Sequence, residues 1–339
     1  MGAIVEPGPP AHAWPPTCDP HLVTAPPAPT ALDMVDGVDL TGKTVVITGA
    51  SAGLGRESAR ALARTGAHVI LAARNAQALS DTEAWVRDEV PDARCSVVPL
   101  DLTSLAGVAA AAAQIAELTP AVHVLMNNAG VMFTPFSRTV DGFEIQFGTN
   151  HLGHFEFTRL LFPALVAADG ARVVVLASEG HRLGDVDFDD PNWEHREYDK
   201  FAAYGASKTA NVLHAVELDR RLRDSGVRAF AVHPGIVATS LARHMTEDDF
   251  ESLSSRARAG RSTDARRSRP VDVTLDFTTP EFGAATQVWA SVSADLDAAG
   301  GVYLSDCRIA EAASYATDES RALALWDLSE RLCTGAAPN

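Results

Sequence analysis

From Thr44 onward, short apolar runs rich in β-branched residues alternate with longer segments of helical periodicity. The runs occupy residues 44–48, 68–73, 95–100, 123–127, 172–177, 227–233 and 301–304. Strands that are apolar throughout must be buried on both faces, and the segments between them are long enough for crossover helices. The 339-residue chain has no internal repeat and no long linker after residue 40. We therefore predict a single α/β domain over residues 38–333, with a doubly wound parallel sheet (Rossmann fold).

Residues 1–37 differ in composition from the rest of the chain. They hold nine of the nineteen prolines, and proline removes the backbone donors that helices and sheets require. We predict an extended, non-catalytic N-terminal arm over residues 1–37 and a short tail over residues 334–339.

The charge and cysteine content exclude several classes of protein. A formal net charge of -16 argues against a nucleic-acid surface, and we interpret the arginine-rich residues 256–269 as a solvated segment. No run approaches the roughly 18 apolar residues of a membrane span. The cysteines have no short paired spacing that would indicate a zinc site or a disulfide framework. We expect a cytoplasmic protein without a nucleic-acid or membrane partner.

The first apolar run leads directly into a glycine-rich turn, Thr48-Gly-Ala-Ser-Ala-Gly-Leu-Gly55. Glycines let the backbone approach phosphates, and the helix that follows directs its free N–H groups at a pyrophosphate. A tight connection would also use three glycines, but the position after the first strand favours dinucleotide binding. The residues predicted to bind the cofactor here are Gly49, Ser51, Gly53, Leu54 and Gly55.

The second run ends in Ala73-Arg74-Asn75, without an acidic residue. In dinucleotide-binding folds an acid at this point bonds the ribose 2′-OH of NAD, whereas an arginine accepts the 2′-phosphate of NADP. We predict NADP(H) as the preferred cofactor, with NAD(H) possible and an ordinary loop arginine as the alternative. Further cofactor contacts are predicted at the ends of the third and fourth runs: Asp101, Leu102, Asn128, Ala129 and Gly130.

Tyr204 and Lys208 lie one helical turn apart in Tyr204-Gly-Ala-Ser-Lys208. A phenol with a pKa of about 10 is a poor proton shuttle at neutral pH, and a nearby ammonium stabilises its anion. We predict that Lys208 lowers the pKa of Tyr204 and that the pair is a redox acid/base. Several histidines lack metal-binding spacing, so we expect no metal: His181, His195, His233 and His244.

In order and spacing these motifs resemble the short-chain dehydrogenase/reductase superfamily over roughly residues 40–333. The shared motifs are the glycine-rich turn, Asn127-Asn-Ala-Gly130, a serine after the fifth run, Tyr204-x-x-x-Lys208 and Pro234-Gly235. Asn150-His-Leu-Gly-His-Phe155 and Tyr303-Leu-Ser-Asp-Cys307 look like the retinol dehydrogenase and WW-domain oxidoreductase branch. We find neither the membrane anchor nor the WW domain of its animal members, so we carry over neither a retinoid substrate nor membrane attachment.

The resemblance implies roles for four catalytic residues. Tyr204 would protonate the carbonyl oxygen in reduction and act as the base in oxidation. Lys208 would depress the pKa of Tyr204 and hydrogen-bond the nicotinamide ribose, and Ser178 would hold the substrate oxygen. The backbone of Asn150 would hold a water next to the lysine. A turn residue is the alternative for Ser178, and a helix-end cap is the alternative for Asn150.

The resemblance also implies further contacts and an assembly. Pro234, Val237 and Thr239 would grip the nicotinamide carboxamide and the pyrophosphate, which implies transfer of the pro-S hydrogen. Relatives pair helices equivalent to residues 143–167 and 204–223 between subunits, so we expect a homodimer or homotetramer.

Two irregular segments, residues 179–203 and 240–279, follow catalytic strands and would roof the substrate crevice. The second mixes apolar residues with arginines, which predicts an amphipathic lid helix. We expect a medium-sized, lipophilic small-molecule alcohol, ketone or aldehyde as substrate. Two alternative functions are an NADPH-dependent reductase of a carbon–carbon double bond and a non-catalytic NADP(H)-sensing protein.

Overall fold

A computed structural model of the chain describes residues 28–237, 249 and 278–335. Within them, one sheet has the strand order β3-β2-β1-β4-β5-β6-β7-β8. The strands are β1 (Thr44–Thr48), β2 (His68–Ala73), β3 (Arg94–Pro99), β4 (Val124–Asn127), β5 (Arg172–Leu176), β6 (Arg228–His233), β7 (Val302–Ser305) and β8 (Arg308–Ala310). Only β7 and β8 pair antiparallel in this sheet. The predicted doubly wound fold is confirmed, and the predicted runs match β1 to β7 to within one residue at each end.

Helices cover both faces of the sheet. They are α1 (Gly53–Ala63), α2 (Ala76–Glu89), α3 (Leu105–Leu118), α4 (Ile145–Phe147), α5 (Gly153–Leu160), α6 (Phe162–Val166), α7 (Lys200–Leu222), α8 (Pro280–Gly283), α9 (Ala285–Val292) and α10 (Glu319–Thr334). A π-helix, Gly148–Leu152, joins α4 to α5. Strands β1, β4 and β5 are buried at every position. Alternate side chains feed two apolar cores, with Val46 in one and Val45 in the other.

The residues just before β1 pack on the domain. A 3-10 turn, Asp33–Val35, lies against α9, and both Ala31 and Val35 are buried. The main-chain N–H of Ala31 donates to the carbonyl of Glu281 at 2.8 Å. The domain therefore begins before residue 38, and the predicted extended arm ends earlier than residue 37.

The C-terminal helix α10 covers α7 and touches α5. The ring of Trp326 meets Phe155 edge-on at 4.9 Å and stacks on His214 at 5.8 Å. Ser329 Oγ lies 2.7 Å from Nε2 of His151 in the π-helix. The outer face of α5 and α7, where we expected a second subunit, is therefore covered by a helix of the same chain.

Candidate active site

The glycine-rich turn after β1 packs against the turn after β4. A Cβ added to Gly49, whose φ is +67°, would lie 2.9 Å from the Cα of Ala129. A Cβ added to Gly55 would lie 2.5 Å from the carbonyl oxygen of Gly49 and 2.6 Å from Nδ2 of Asn128. Real Cβ atoms do not approach backbone atoms this closely. Only glycine fits these two positions without moving the turn.

The N-terminus of α1 has no side-chain cap, unlike several other helices of the domain. Its N-cap residue, Ala52, makes no side-chain hydrogen bond, and its first turn has no acidic residue. Side chains cap five other helices among the described residues: Asn75 caps α2, Ser104 caps α3, Glu144 caps α4, Asp199 caps α7 and Asp318 caps α10. The first N–H groups of α1 and its positive dipole end are thus available to an anion. The turn from Gly49 through Ser51 and Gly53 to Leu54 has the donors that a pyrophosphate requires.

Thr48 joins this turn to the segment after β4. Its Oγ1 accepts hydrogen bonds from the main-chain N–H groups of Asn128 and Ala129, both at 2.9 Å. Beyond them, a Cβ on Gly130 would lie 3.1 Å from Oδ1 of Asn150 and 3.8 Å from Nζ of Lys208. The predicted nucleotide-binding edge therefore adjoins two of the predicted catalytic side chains.

The residues predicted to contact the adenosine half follow β2 and β3 at the same edge of the sheet. Arg74 comes directly after β2 and is exposed. Asp101 is half-buried, and its Oδ1 accepts from the N–H and the hydroxyl of Thr103, at 3.0 and 2.8 Å. Leu102 is buried. The exposed guanidinium of Arg74 is thus the positive group that this edge offers to a phosphate.

Tyr204 lies near the start of α7, and Ser178 lies directly before the 3-10 helix Glu179–Leu183. Their side chains adjoin each other; burial raises the pKa of the Tyr204 phenol, and the Ser178 hydroxyl lowers it. Ser178 Oγ also accepts from the N–H of Gly180 at 3.0 Å. A Cβ on Gly180 would lie only 2.7 Å from Cε1 of Tyr204, so the phenol ring packs directly on this glycine. The structure brings the predicted acid/base and the predicted substrate-orienting hydroxyl together.

Lys208, one turn after Tyr204, is buried, and its Nζ donates to the carbonyl of Leu176 at 2.8 Å. Burial lowers the pKa of Lys208 to about 7. Burial also raises the pKa of Tyr204 to about 12, and the hydroxyl of Ser178 opposes that rise. The pKa of Tyr204 is therefore raised overall, and that of Lys208 is lowered. The reason is that removal of both groups from water disfavours both charged forms.

Asn150 lies inside the π-helix rather than at a helix end, so it is not a cap. Its side chain bonds the main chain of Val131 in both directions, with Oδ1 accepting at 2.8 Å and Nδ2 donating at 2.9 Å. Nδ2 also lies 3.0 Å from Oγ of Ser207 on α7. Asn150 thus ties the segment after β4 to the helix that carries Tyr204 and Lys208.

The main-chain carbonyl of Asn150 has a partner that the sequence analysis did not predict. Nδ1 of His154 lies 3.0 Å from it, and Nε2 of His154 lies 2.9 Å from Oγ1 of Thr48. Because the carbonyl oxygen of Asn150 only accepts, Nδ1 carries the proton of the neutral ring, and Nε2 accepts from the Thr48 hydroxyl, whose other acceptor, the Met126 carbonyl, is farther away at 3.4 Å. His154 belongs to the Asn150-His-Leu-Gly-His154 motif, and this motif could have indicated its role from the sequence.

An aromatic wall that the sequence analysis also missed stands beside the phenol. Phe133 has a φ of +51° and packs on Phe201 at 4.7 Å and edge-on to Tyr204 at 4.9 Å. The main-chain N–H of Phe133 donates to Oε1 of Gln146 at 2.8 Å. Met132 and Leu183 pack on the same cluster. The described surroundings of Tyr204 are therefore mostly apolar and aromatic.

The segment after β6 is described only in part. Pro234 follows β6, and Val237 forms an isolated bridge with Thr278. A Cβ on Gly283 of α8 would lie 2.5 Å from Cγ2 of Val237, so this valine packs closely on α8. Thr239 lies outside the described residues, as does the predicted lid helix in residues 240–279 apart from Asp249, Thr278 and Thr279.

Residues 43–249 match the family model for the short chain dehydrogenase. The chain belongs to the short-chain dehydrogenase family. It is 39% identical to mouse retinol dehydrogenase 14 over 302 residues, covering 85% of each chain. It is also 39% identical to human retinol dehydrogenase 13 over 300 residues, covering 88% of this chain and 87% of that protein. This short-chain dehydrogenase therefore lies in the retinol dehydrogenase branch, as the motifs predicted.

Solved structures of other family members share the fold. An uncharacterised protein from Mycobacterium paratuberculosis is 34% identical, with a TM-score of 0.68 over 90% of this chain and 97% of that one. The NADP active-site complex of Pseudomonas aeruginosa RhlG is 25% identical, with a TM-score of 0.60 over 79% of this chain and 95% of that one. This family binds NAD(H) or NADP(H), so this short-chain dehydrogenase is an oxidoreductase with a nicotinamide cofactor. In the part of the chain that the structure describes, no helix has the length and apolar character needed to cross a membrane.

Proposed function

We propose that the protein interconverts an alcohol with a ketone or aldehyde, using NADP(H), with Tyr204 as the general acid and base. One observation carries the proposal: the side chains of Tyr204 and Ser178 meet at Gly180, where an added Cβ would lie 2.7 Å from Tyr204 Cε1 and 3.2 Å from Ser178 Oγ, in the same molecule as a turn whose glycines suit a dinucleotide. A Tyr–Ser pair that can bind the same carbonyl oxygen provides both orientation and a proton.

In the reductive direction, a nicotinamide held at this edge would supply the hydride for the carbonyl carbon. The carbonyl electron pair then moves to the oxygen, which takes the proton of Tyr204. Ser178 donates a hydrogen bond to the same oxygen while the N–H of Gly180 holds its Oγ. Lys208 uses one of its donors on Leu176 and keeps the others for the edge beside Gly130. Oxidation reverses each step, with the tyrosinate as the base.

The preference for NADP(H) rests on Arg74. Its guanidinium is exposed where β2 ends, and Ala73 puts no negative charge beside it. We expect Arg74→Asp to raise the KM for NADPH at least about 10-fold and to leave the KM for NADH nearly unchanged, because a carboxylate repels the 2′-phosphate. Arg94→Asp is the control, since Arg94 is also exposed but starts β3 at the opposite edge. An unchanged ratio of the two efficiencies in Arg74→Asp would mean that Arg74 does not bind the phosphate.

The substrate class is proposed from the aromatic wall. Phe133, Phe201 and Met132 pack around Tyr204 and make its surroundings apolar, which favours a medium-sized lipophilic carbonyl compound over a sugar or an acid. A panel of aliphatic and aromatic ketones, aldehydes, sugars, keto acids and enones, followed by NADPH absorbance, tests this. Turnover of sugars or keto acids alone would contradict it. Reduction of the enone double bond alone would establish the carbon–carbon reductase instead.

Tyr204→Phe tests the mechanism. Phenylalanine fills the same space but has no proton to give, so kcat should fall at least about 100-fold while the Kd for NADPH stays within about 2-fold. Stopped-flow kinetics and NADPH fluorescence measure the two quantities. Equal activity in the variant would remove Tyr204 as the acid. A wild-type protein that binds NADPH but turns over no member of the panel would be the sensor of the alternative hypothesis.

We also propose that the protein is a cytoplasmic homodimer or homotetramer. A homodimer or homotetramer needs a surface other than the outer face of α5 and α7, because α10 covers that face. The three described cysteines are free thiols, which supports a reducing, cytoplasmic location. Light scattering at micromolar concentration tests the assembly, and a purely monomeric protein would refute it.

A further inference from the structure

His181 is a buried histidine that the proposed mechanism does not use. It lies three residues after Ser178 in the 3-10 helix and is fully inaccessible to solvent. Its Nδ1 lies 2.6 Å from the main-chain carbonyl oxygen of Ser178. Its Nε2 accepts the main-chain N–H of Ala313, from the segment after β8, at 2.9 Å. The ring therefore connects the residue next to Tyr204 with a distant part of the chain.

These two partners determine the protonation of the ring. A carbonyl oxygen only accepts, so Nδ1 must carry a proton; a main-chain N–H only donates, so Nε2 must be bare. A second proton on the ring would place two N–H groups against each other at Ala313. The ring of His181 is thus neutral, with one tautomer, and both of its nitrogens are satisfied.

The carbonyl of Ser178 receives both of its hydrogen bonds from His181. The main-chain N–H of His181 donates to it at 3.0 Å, and the ring adds the shorter bond. The carbonyl of His181 in turn accepts from Thr209 of α7 at 3.0 Å and from Tyr315 at 2.9 Å. Ser178 is consequently held in a fixed orientation relative to the helix that carries Tyr204.

A comparison with other buried histidines separates this arrangement from ordinary packing. His154 makes the same pair of bonds, with Nδ1 on the carbonyl of Asn150 and Nε2 on Thr48. His214 is just as buried but contacts none of the four predicted catalytic residues in the described interactions. Neither of its ring nitrogens has a hydrogen-bond partner among the described residues. The rings of His154 and His181 each have both nitrogens hydrogen-bonded in one tautomer, and each contacts the main-chain carbonyl of a predicted catalytic residue, Asn150 or Ser178.

We propose that His181 is a positioning residue for Ser178: its neutral ring braces the Ser178 carbonyl against the segment at Ala313, so that the serine hydroxyl stays aligned with Tyr204. The inference rests on the proposed function, because alignment matters only if Ser178 holds a carbonyl oxygen. A small rotation of the serine would weaken a hydrogen bond made in the transition state and would leave cofactor binding unchanged.

Two substitutions divide the two bonds of the ring. Asparagine places its Nδ2 near the position of Nδ1, so His181→Asn keeps the donor to Ser178 and leaves the N–H of Ala313 unpaired. Glutamine reaches the position of Nε2, so His181→Gln keeps the acceptor for Ala313 and loses the ring's bond to Ser178. Both should lower the melting temperature by similar amounts, since each loses one buried hydrogen bond.

The kinetic expectation differs between the two variants. His181→Gln should lower kcat about 10-fold, with KM for the carbonyl substrate and Kd for NADPH within about 2-fold, whereas His181→Asn should keep kcat within about 3-fold. Equal losses of kcat in both variants would overturn the proposal, because they would follow from stability alone. If His181→Gln does not fold, a large loss of kcat in folded His181→Asn overturns it equally.

A double-mutant cycle tests whether His181 acts through Ser178. In a Ser178→Ala protein, His181→Gln should cause no further loss of kcat/KM in single-turnover reactions. Additive losses would show that His181 acts elsewhere and would refute the proposal. Failure of the proposed function itself is distinguishable, because wild type and Tyr204→Phe would then be equally inactive toward the carbonyl panel.

Discussion

The nucleotide-binding side and the catalytic side of the site are adjacent, but the first is formed mainly by the main chain and the second mainly by side chains. The nucleotide side consists of backbone: the turn after β1, the turn after β4 and the uncapped start of α1, held together by Thr48. The catalytic side consists of buried or half-buried polar side chains from separate segments, among them Asn150, Ser178 and Lys208. Close main-chain packing limits which side chains the nucleotide side can hold. On the catalytic side, the removal of polar groups from water has the largest effect on their pKa values.

The difference predicts opposite responses to substitution. An added atom on the nucleotide side has no room, because Gly49 and Gly55 already lie against other main-chain atoms. On the catalytic side, burial has shifted the pKa of Tyr204 upward and that of Lys208 downward. Replacing a buried polar group there by an apolar one should remove function while relieving a desolvation cost.

The largest effect is expected for Gly55→Ala. Its Cβ would meet the carbonyl of Gly49 at 2.5 Å and Nδ2 of Asn128 at 2.6 Å, so the two turns must separate. We expect the Kd for NADPH to rise about 100-fold or more, because the main-chain N–H groups of the turn would no longer all point at the pyrophosphate. Fluorescence titration of NADPH measures this.

Gly107→Ala is the matched control. Gly107 occupies the third position of α3, as Gly55 does in α1, but its added Cβ would make contacts of 3.4 Å or more. Alanine there should preserve NADPH binding and stabilise α3 by about 0.5–1 kcal/mol. Near-normal NADPH binding in Gly55→Ala would show that the nucleotide side tolerates change as the catalytic side does, and would break the comparison.

The buried Lys208 should make the stability of the wild-type protein depend on pH, and Lys208→Met should remove this dependence. The pKa of Lys208 is about 7 in the folded protein against 10.5 for an unperturbed lysine, so between these values the unfolded chain binds more protons. Wild-type stability therefore rises with pH across that window and is lowest, for this group, at pH 7 and below. Methionine removes the desolvation cost, and the Leu176 carbonyl keeps its bond from Asn211 at 2.9 Å.

We expect Lys208→Met to be inactive yet more stable than wild type at pH 7, by about 1–3 kcal/mol, with the gain vanishing near pH 10.5. Urea unfolding at a series of pH values between 6 and 10, in the absence of cofactor, measures the difference. A variant that is less stable at pH 7 would mean that the hydrogen bonds of Lys208 outweigh its burial.

The strands and the glycine-rich turn could be predicted from the sequence. Most of the strands β1 to β7 are predictable because burial on both faces requires continuous apolar runs, although the edge strand β3 is only partly buried. The glycine-rich turn is predictable because its constraint is local. β8 is not, because it is three residues long and largely exposed. It follows a two-residue turn, Asp306-Cys307, in which both residues have positive φ, where glycine would be the usual signal.

Sequence reasoning missed the supports of the catalytic side for a related reason. His154 and His181 contact the main-chain carbonyls of Asn150 and Ser178. Every residue has such a carbonyl, so the sequence does not show which one a histidine binds. Their second partners, Thr48 and Ala313, lie more than 100 residues away along the chain. The rise in the pKa of Tyr204 was not predictable either, because burial depends on the tertiary fold.

The smallest expected effect belongs to Phe133→Leu. Leucine tolerates the same positive φ no better than phenylalanine, so the backbone strain at this position is unchanged and only the ring is lost. The edge contact with Tyr204, at 4.9 Å, is worth about 0.5–1.5 kcal/mol, so kcat/KM should fall about 3- to 10-fold. Phe136→Leu, on an exposed ring of the same loop, should change kcat/KM less than 2-fold. If both variants behave like wild type, the aromatic wall does not position the phenol, and the catalytic side depends on its polar contacts alone.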